Sequence, residues 1–421
     1  MTELKRHILS FFDEKNFKSD LEKFRLDAVE SFSQSDFPTV NDEEWKVTDL
    51  SKIVSKKYNL ELNRNTSEKY DFEKYLLGMD TYRVIVINGL ISKELSSVPE
   101  FFNISSIREN TSHERVKKFF SKILSRDIIS DLNTSLFHDG VFIEVPANTT
   151  VDKPVEILNI SFHDTPAINS LRNLVVVNEN AEIKIIDRHQ SLSENVFVNY
   201  ITEIFVDKNA RGELYKLQMD DSTNSLIDNT FISQEKGSTA SVGTFSFGSE
   251  FIRNNLNFYL DGQHSTANLY GISILSDNQL VDNHTCVEHR LPNCDSNEIY
   301  RGIYHDNSRG VFNGKVIVHK DAQKTSGFQR NDNILLSDRA KINTKPQLEI
   351  FADDVKCSHG CTVGQLDKDA IFYLRSRGMR EEVAKGMIMY AFFSEILENI
   401  HIPQLKDYLE SFVSKKLGID V

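Results

Sequence analysis

Apolar residues recur at intervals of three and four in the first third of the chain, as in Leu21, Phe24, Ala28 and Phe32, and again in Val116, Phe119, Phe120, Ile123 and Leu124. That spacing places each set on one face of a helix. A single β-branched run from Val84 to Ile87 stands before Asn88-Gly89 and predicts one buried strand followed by a turn. Residues 1–135 therefore read as a helix-rich region with some strand. The lone tryptophan, Trp45, is expected to pack between its helices.

From Gly140 to about Phe351 the helical spacing vanishes. Short runs such as VFIEV, VEILNI, LVVV, VFVNYI, LNFYL, LYGISI and VFNGKVIV take its place, separated by Asn, Asp and Gly, and they predict an all-β body. Small residues in polar turns precede the apolar runs at Ala181, Ala210, Ala240, Ala267, Ser296 and Ala322, with separations of 29, 30, 27, 29 and 26. Apolar anchors follow each of them, at Ile183, Leu214, Val242, Leu269, Ile299 and Phe328. A period in this range suits stacked coils that share one core, whereas a sandwich or barrel expects turns every eight to twelve residues. The fold class is therefore mainly β: a parallel β-helix core over 136–355, flanked by an N-terminal helical region (1–135) and a C-terminal one (356–421).

After Phe351 the pattern changes again. Gln347 to Phe351 alternates like a half-buried strand, while Asp367 to Arg377 has helical spacing and stops at Gly378. Glu381 to Ile400 lines up Val383, Met387, Tyr390, Ala391, Ser394 and Leu397, with Ile388, Phe392 and Ile396 beside them. That apolar face is too broad for a lone surface helix. Part of it is expected to pack on the 367–377 helix and on the Gln404 to Lys416 segment after Pro403, and the rest to serve as an interface or an internal face of the cap.

Composition narrows the functional classes. With 421 residues and a formal net charge of −13, the chain opposes a phosphate-binding surface, so nucleic acid is not expected as a partner. No apolar run is long enough to span a bilayer, and MTELKRHILSFFDEKNF has no signal-like apolar core, which predicts a cytoplasmic protein with no membrane partner. Four cysteines, Cys286, Cys294, Cys357 and Cys361, are too few for a disulfide framework. There is no G-x-S-x-G elbow, no HExxH and no GxxxxGK[ST] loop, so catalysis and ATP binding by this chain are not expected.

The candidate chemistry lies in KCSHGC. Cys357, His359 and Cys361 stand two apart, so in an extended segment they face one way and offer two thiols and an imidazole toward a common point. The spacing is not that of a closed zinc site, which needs four ligands. An open site completed by another chain, for iron or an iron–sulfur cluster, fits the donor types better. The same residues could instead be a small buried hydrophobe and a loop hydrogen-bonder. His284, Cys286 and His289 also alternate, and they read more readily as side chains seated in or on a coil than as ligands.

The segments PNCDSNEIYRGI, GVFNGKVIVHKDAQKTSGFQRNDNILLS, KPQLEIFADDVKCSHG and TVGQLDKDAIFYLRSRGM closely resemble the SufB/SufD family, its SufD branch in particular. NDEEWKVTDL and LFHDGVFIEVPANTTVDKPVEI look like that family's N-terminal motif and its entry into the core. The resemblance implies a helical N-terminal region, a β-helix core and a C-terminal helical domain. It implies a non-catalytic scaffold that pairs with a SufB-like subunit through the β-helix and with the ATPase SufC through C-terminal helices. The residues offered to those contacts are Leu366, Phe372, Tyr373, Arg375, Arg377, Met387 and Tyr390. Cys357 and His359 fall on positions near the SufB interface, where a nascent iron–sulfur cluster is expected to form with ligands from both subunits, and a homodimer is expected when SufB is absent. Cys361 stands where the family usually has a small residue, so it is not counted as a primary ligand. The alternative is a β-helix polysaccharide lyase or hydrolase, which expects a secretory signal and activity in isolation.

Overall fold

The computed structural model describes residues 2–14, 22–61, 72–220 and 223–419. Strand outweighs helix, 41% against 23%, and most of it forms a parallel β-solenoid of about 8 turns. Along the coils, successive strands alternate between two facing sheets, one of ten strands and one of nine, and almost every pairing within them is parallel. Strands of these sheets also lie outside 136–355. Tyr82–Ile87 pairs in parallel with Val155–Ser161 and makes the expected turn at Asn88-Gly89, Asn103–Ser106 joins the nine-stranded sheet, and Lys356–Gly364 ends the ten-stranded one.

The coil repeat is real, but its strongest marker is a backbone conformation. Asn148, Asn180, Asn209, Gly237, His264, Asn293 and Lys324 all have positive φ, between 55° and 70°. Asparagine and glycine adopt this left-handed turn most readily. The N–H of Asn148, Asn180, Asn209, Gly237 and Asn293 each donates to a carbonyl of the next coil at 2.9 Å. Ala181 and Ala210 tuck in directly after this turn, whereas Ala240, Ala267 and Ser296 pair with one another inside the strands, two residues further along. The expected small-residue marker thus mixes two register positions.

Two other expectations are corrected. Helix Glu114–Phe119 stops short of Ile123 and Leu124, because Ser121 turns the chain at φ 58°. Trp45 packs against the N-terminal helical cluster, as expected, but not between helices alone, because its other neighbour is the sheet. It ends a single 3₁₀ turn, Glu43–Trp45, laid on the outer face of the nine-stranded sheet, where the Arg253 guanidinium stacks 3.7 Å from its ring centroid. A cation over an indole face gains from the ring quadrupole as well as from contact area. Glu44 then reaches His284 at 3.2 Å and accepts from Asn313 Nδ2 at 2.9 Å, and Glu43 pairs with Lys345 at 2.7 Å. Helix Glu22–Gln34 buries Ala28 and Phe32 as its spacing predicts, while Leu21 lies outside the described residues.

The C-terminal helices Lys368–Ser376, Glu381–Leu397 and Pro403–Lys416 follow the expected order. The buried face of Glu381–Leu397 is Ala384, Gly386, Met389, Phe393, Ile396 and Leu397, while Met387, Ala391 and Ser394 of the predicted stripe are exposed. What covers this face is the solenoid's own outer surface: Tyr270, Ile272, Ile274, Ile299 and Ile303 share one core with Phe393, Ile396 and Leu409. Arg301 locks the contact by bonding to the Phe392 carbonyl and Glu395, with its guanidinium 5.3 Å from the Phe392 ring centroid.

Candidate functional site: the last coil

Each solenoid strand turns alternate side chains into the lumen, so one register position followed from coil to coil is a lumenal row. One row runs Ile183, Gly212, Ala240, Ala267, Ser296, Gly327, Cys357. The next runs Ile185, Leu214, Val242, Leu269, Glu298, Gln329, His359.

 In that second row Leu269 is the last apolar member, and the polar run from Glu298 to His359 replaces the core packing of the earlier coils. The expected anchors Ile299 and Phe328 are one residue out of register with it and face outward, because a slip of one residue exchanges the two faces of a strand.

Cys357, His359 and Cys361 therefore share one face, as their spacing predicts, but they do not converge. Alternate residues of one strand stand roughly 7 Å apart, and no cluster of three metal-ligating side chains occurs among the described residues. The chain supplies a row of donors, and any centre built on them needs ligands from elsewhere. Cys357 is half-buried against Leu348, Val355 and Val316, and a Cβ on Gly327 beneath it would lie 3.3 Å from its Sγ, so glycine leaves the sulfur its room. Burial raises the thiol pKa, offset in part by the backbone of Gly327. Cys357 is thus a thiol at neutral pH that a metal would have to deprotonate. His359 and Cys361 are exposed.

The strand that carries them, Lys356–Gly364, pairs on one side only, with Ser326–Leu335. Lys356 N–H donates to Thr325 O at 2.8 Å. The alternation of a parallel ladder then turns the N–H groups of Cys357, His359, Cys361 and Val363 toward the open edge. Apolar side chains crowd this end, with Phe328, Ile350, Phe351 and Val363 all exposed. A long edge strand with unmet backbone groups beside apolar surface is a template for pairing with another chain.

Beneath the row lie residues that spacing alone did not single out. Glu298 and Gln329 are fully enclosed, and Gln329 Nε2 donates to Glu298 Oε2 at 2.7 Å. Burial pushes the Glu298 carboxyl up to about 7. Under Cys357, Ser296 bonds to His289 Nε2 at 2.9 Å, and burial holds His289 down at about 4. His289 thus points into the lumen. It does not share a face with His284 and Cys286, from which it differs in parity along the strand Leu280–His289. Those two face outward, in a cavity of about 490 Å³ under the Glu43–Trp45 turn. Burial opposes the charge on His284, but Asp282 at 2.9 Å and Glu44 together raise its pKa. Burial raises the Cys286 thiol to about 11.

Of the residues expected at partner contacts, Phe372, Tyr373 and Met387 are exposed, Leu366 and Tyr390 are half-buried, Arg375 pairs with Glu381 at 3.1 Å, and the Arg377 guanidinium lies 5.2 Å from the Tyr373 ring centroid. Among the described residues no helix is long and apolar enough to cross a membrane.

Comparison with known proteins agrees with this architecture. Residues 161–392 match the family described as SUF system FeS cluster assembly, SufBD core domain, and residues 10–157 match the SufBD protein N-terminal region. An iron–sulfur cluster assembly SufBD family protein of Synechocystis is 32% identical over 93% of this chain and 90% of its own length. The iron–sulfur cluster assembly protein SufD of Escherichia coli is 28% identical over 92% of this chain and 91% of its own, and SufD of Bacillus subtilis 23% identical over 78% and 76%. The chain belongs to the SufB/SufD family of iron–sulfur cluster assembly proteins.

Proposed function

We propose that this chain is a non-catalytic scaffold subunit of a SufB-SufC-SufD complex. Its solenoid end pairs with a SufB-like subunit, and its C-terminal helices bind the ATPase SufC. The observation that carries this reading is the uncovered last coil, which presents Cys357 and His359 on an edge strand with free backbone groups and an apolar rim. Two ligands in a row cannot enclose a metal, but they can complete a centre whose other ligands come from the facing subunit. A nascent iron–sulfur cluster is then the cargo of this seam. In the absence of SufB, two copies of the chain are expected to pair through the same end.

The helices that follow give the seam a lever. Lys368–Ser376 starts four residues beyond Gly364 and presents Phe372 and Tyr373 outward, with Leu366, Arg375, Arg377, Met387 and Tyr390 around them. Closure of two ATPase subunits on these helices would strain the nearby seam and open it to iron and sulfur. Co-expression with SufB and SufC tests the assembly. A stoichiometric three-protein complex is expected, with SufC lost from a Phe372→Ala, Tyr373→Ala variant of unchanged thermal midpoint. Purification of the chain alone, with neither partner retained, contradicts the reading.

A further inference from the structure

The lumenal row that ends in His359 abandons apolar packing two coils before the end, at Glu298 and Gln329. Burying an amide and a carboxyl in such a core is unfavourable unless each polar atom is met. Here only half of them are. Gln329 Nε2 donates to Glu298 Oε2 at 2.7 Å, but Gln329 Oε1, on the same amide, is buried without a partner. The opposing sheet makes room for this side chain: a Cβ on Gly314 would fall 2.2 Å from Gln329 Nε2. The next side chain in the row is the imidazole of His359, whose Cα is the ladder partner of Gln329. Neighbouring strands lie about 4.8 Å apart, so a rotamer change alone brings stacked side chains into hydrogen-bonding reach.

We propose that Gln329, braced by Glu298, is a positioning residue for His359: its Oε1 accepts one ring N–H and leaves the other nitrogen's lone pair facing the open end of the solenoid. Histidines that bind metals are commonly held this way, with the non-ligating N–H given to a carbonyl or carboxylate. The inference rests on the reading of His359 as a cluster ligand. It explains why a lumenal row that is apolar through Leu269 becomes polar directly beneath His359.

The test is nitrogen-15 NMR of the histidine-labelled chain in its co-expressed complex, with the His359 signals assigned by their loss in His359→Ala. A wild-type His359 dominated by one tautomer is expected. Gln329→Met removes the acceptor at similar size and should shift the tautomer ratio about tenfold, the effect of one net hydrogen bond. Gln329→Glu keeps an acceptor at the same reach and should retain the wild-type tautomer. An unchanged ratio in Gln329→Met, or loss of the preference in Gln329→Glu, overturns the positioning role. Iron loading separates the two claims: normal loading in His359→Ala removes His359 as a ligand, whereas impaired loading there with an unmoved tautomer in Gln329→Met removes only the role of Gln329.

Discussion

Glu298 shows how much a single lumenal position decides. Burial favours the protonated form of its carboxyl and raises the pKa from 4.5 to about 7. A raised acid binds its proton more tightly when folded, so its contribution to stability is complete below about pH 4.5 and is lost as pH rises through 7. Glu298→Gln, which cannot ionise and still accepts from Gln329, should lack that loss. Denaturant melts at pH 5 and pH 8 should show the variant gaining roughly 1–3 kcal/mol on wild type across the interval. Equal pH dependence in the two proteins would show that Glu298 is not buried as described. Asp187, likewise pushed to about 7 by burial, titrates in both and cancels from the comparison.

At the scale of elements, the C-terminal helices are held by what they cover. Phe393 is fully buried between helix Glu381–Leu397 and the outer face of the ten-stranded sheet. Phe393→Ala should destabilise the protein by about 3–5 kcal/mol, read from its urea midpoint. The edge strand Lys356–Gly364 makes the opposite prediction. Val363 has its N–H on the open side, so Val363→Pro should leave the solenoid's thermal midpoint within about 2 °C of wild type and yet weaken pairing with SufB in size-exclusion chromatography. Unaltered pairing would place the partner elsewhere. The two elements also differ in how far the sequence reveals them. Solenoid strands were legible wherever lumenal positions are apolar, as at Ile185, Leu214, Val242 and Leu269. At Glu298 and Gln329 this lumenal row is polar, and the nearest apolar residues, Ile299 and Phe328, lie one position over, on the outer face. The buried face of the helix is hidden in the sequence for a related reason: Glu381–Leu397 is apolar almost all round, and only the position of the solenoid selects Phe393 over Met387.

For the molecule as a whole, the sequence reveals the order of helices, coils and helices and the common face of Cys357, His359 and Cys361. It does not reveal that these three stand in a row without converging, because that depends on the strand remaining extended as the last member of its sheet. The chain is a shaft packed from its first coils, with thiol and imidazole side chains at an uncovered end and helices fastened to its side by Arg301. The central claim is that these donors complete a cluster at the seam with a second subunit. Its most direct test is Mössbauer spectroscopy of the co-expressed complex, reconstituted anaerobically with iron and sulfide, comparing wild type with Cys357→Ala and His359→Ala after chromatography confirms intact complexes. The account predicts loss of the cluster signal in both variants, and a wild-type signal in both would contradict it.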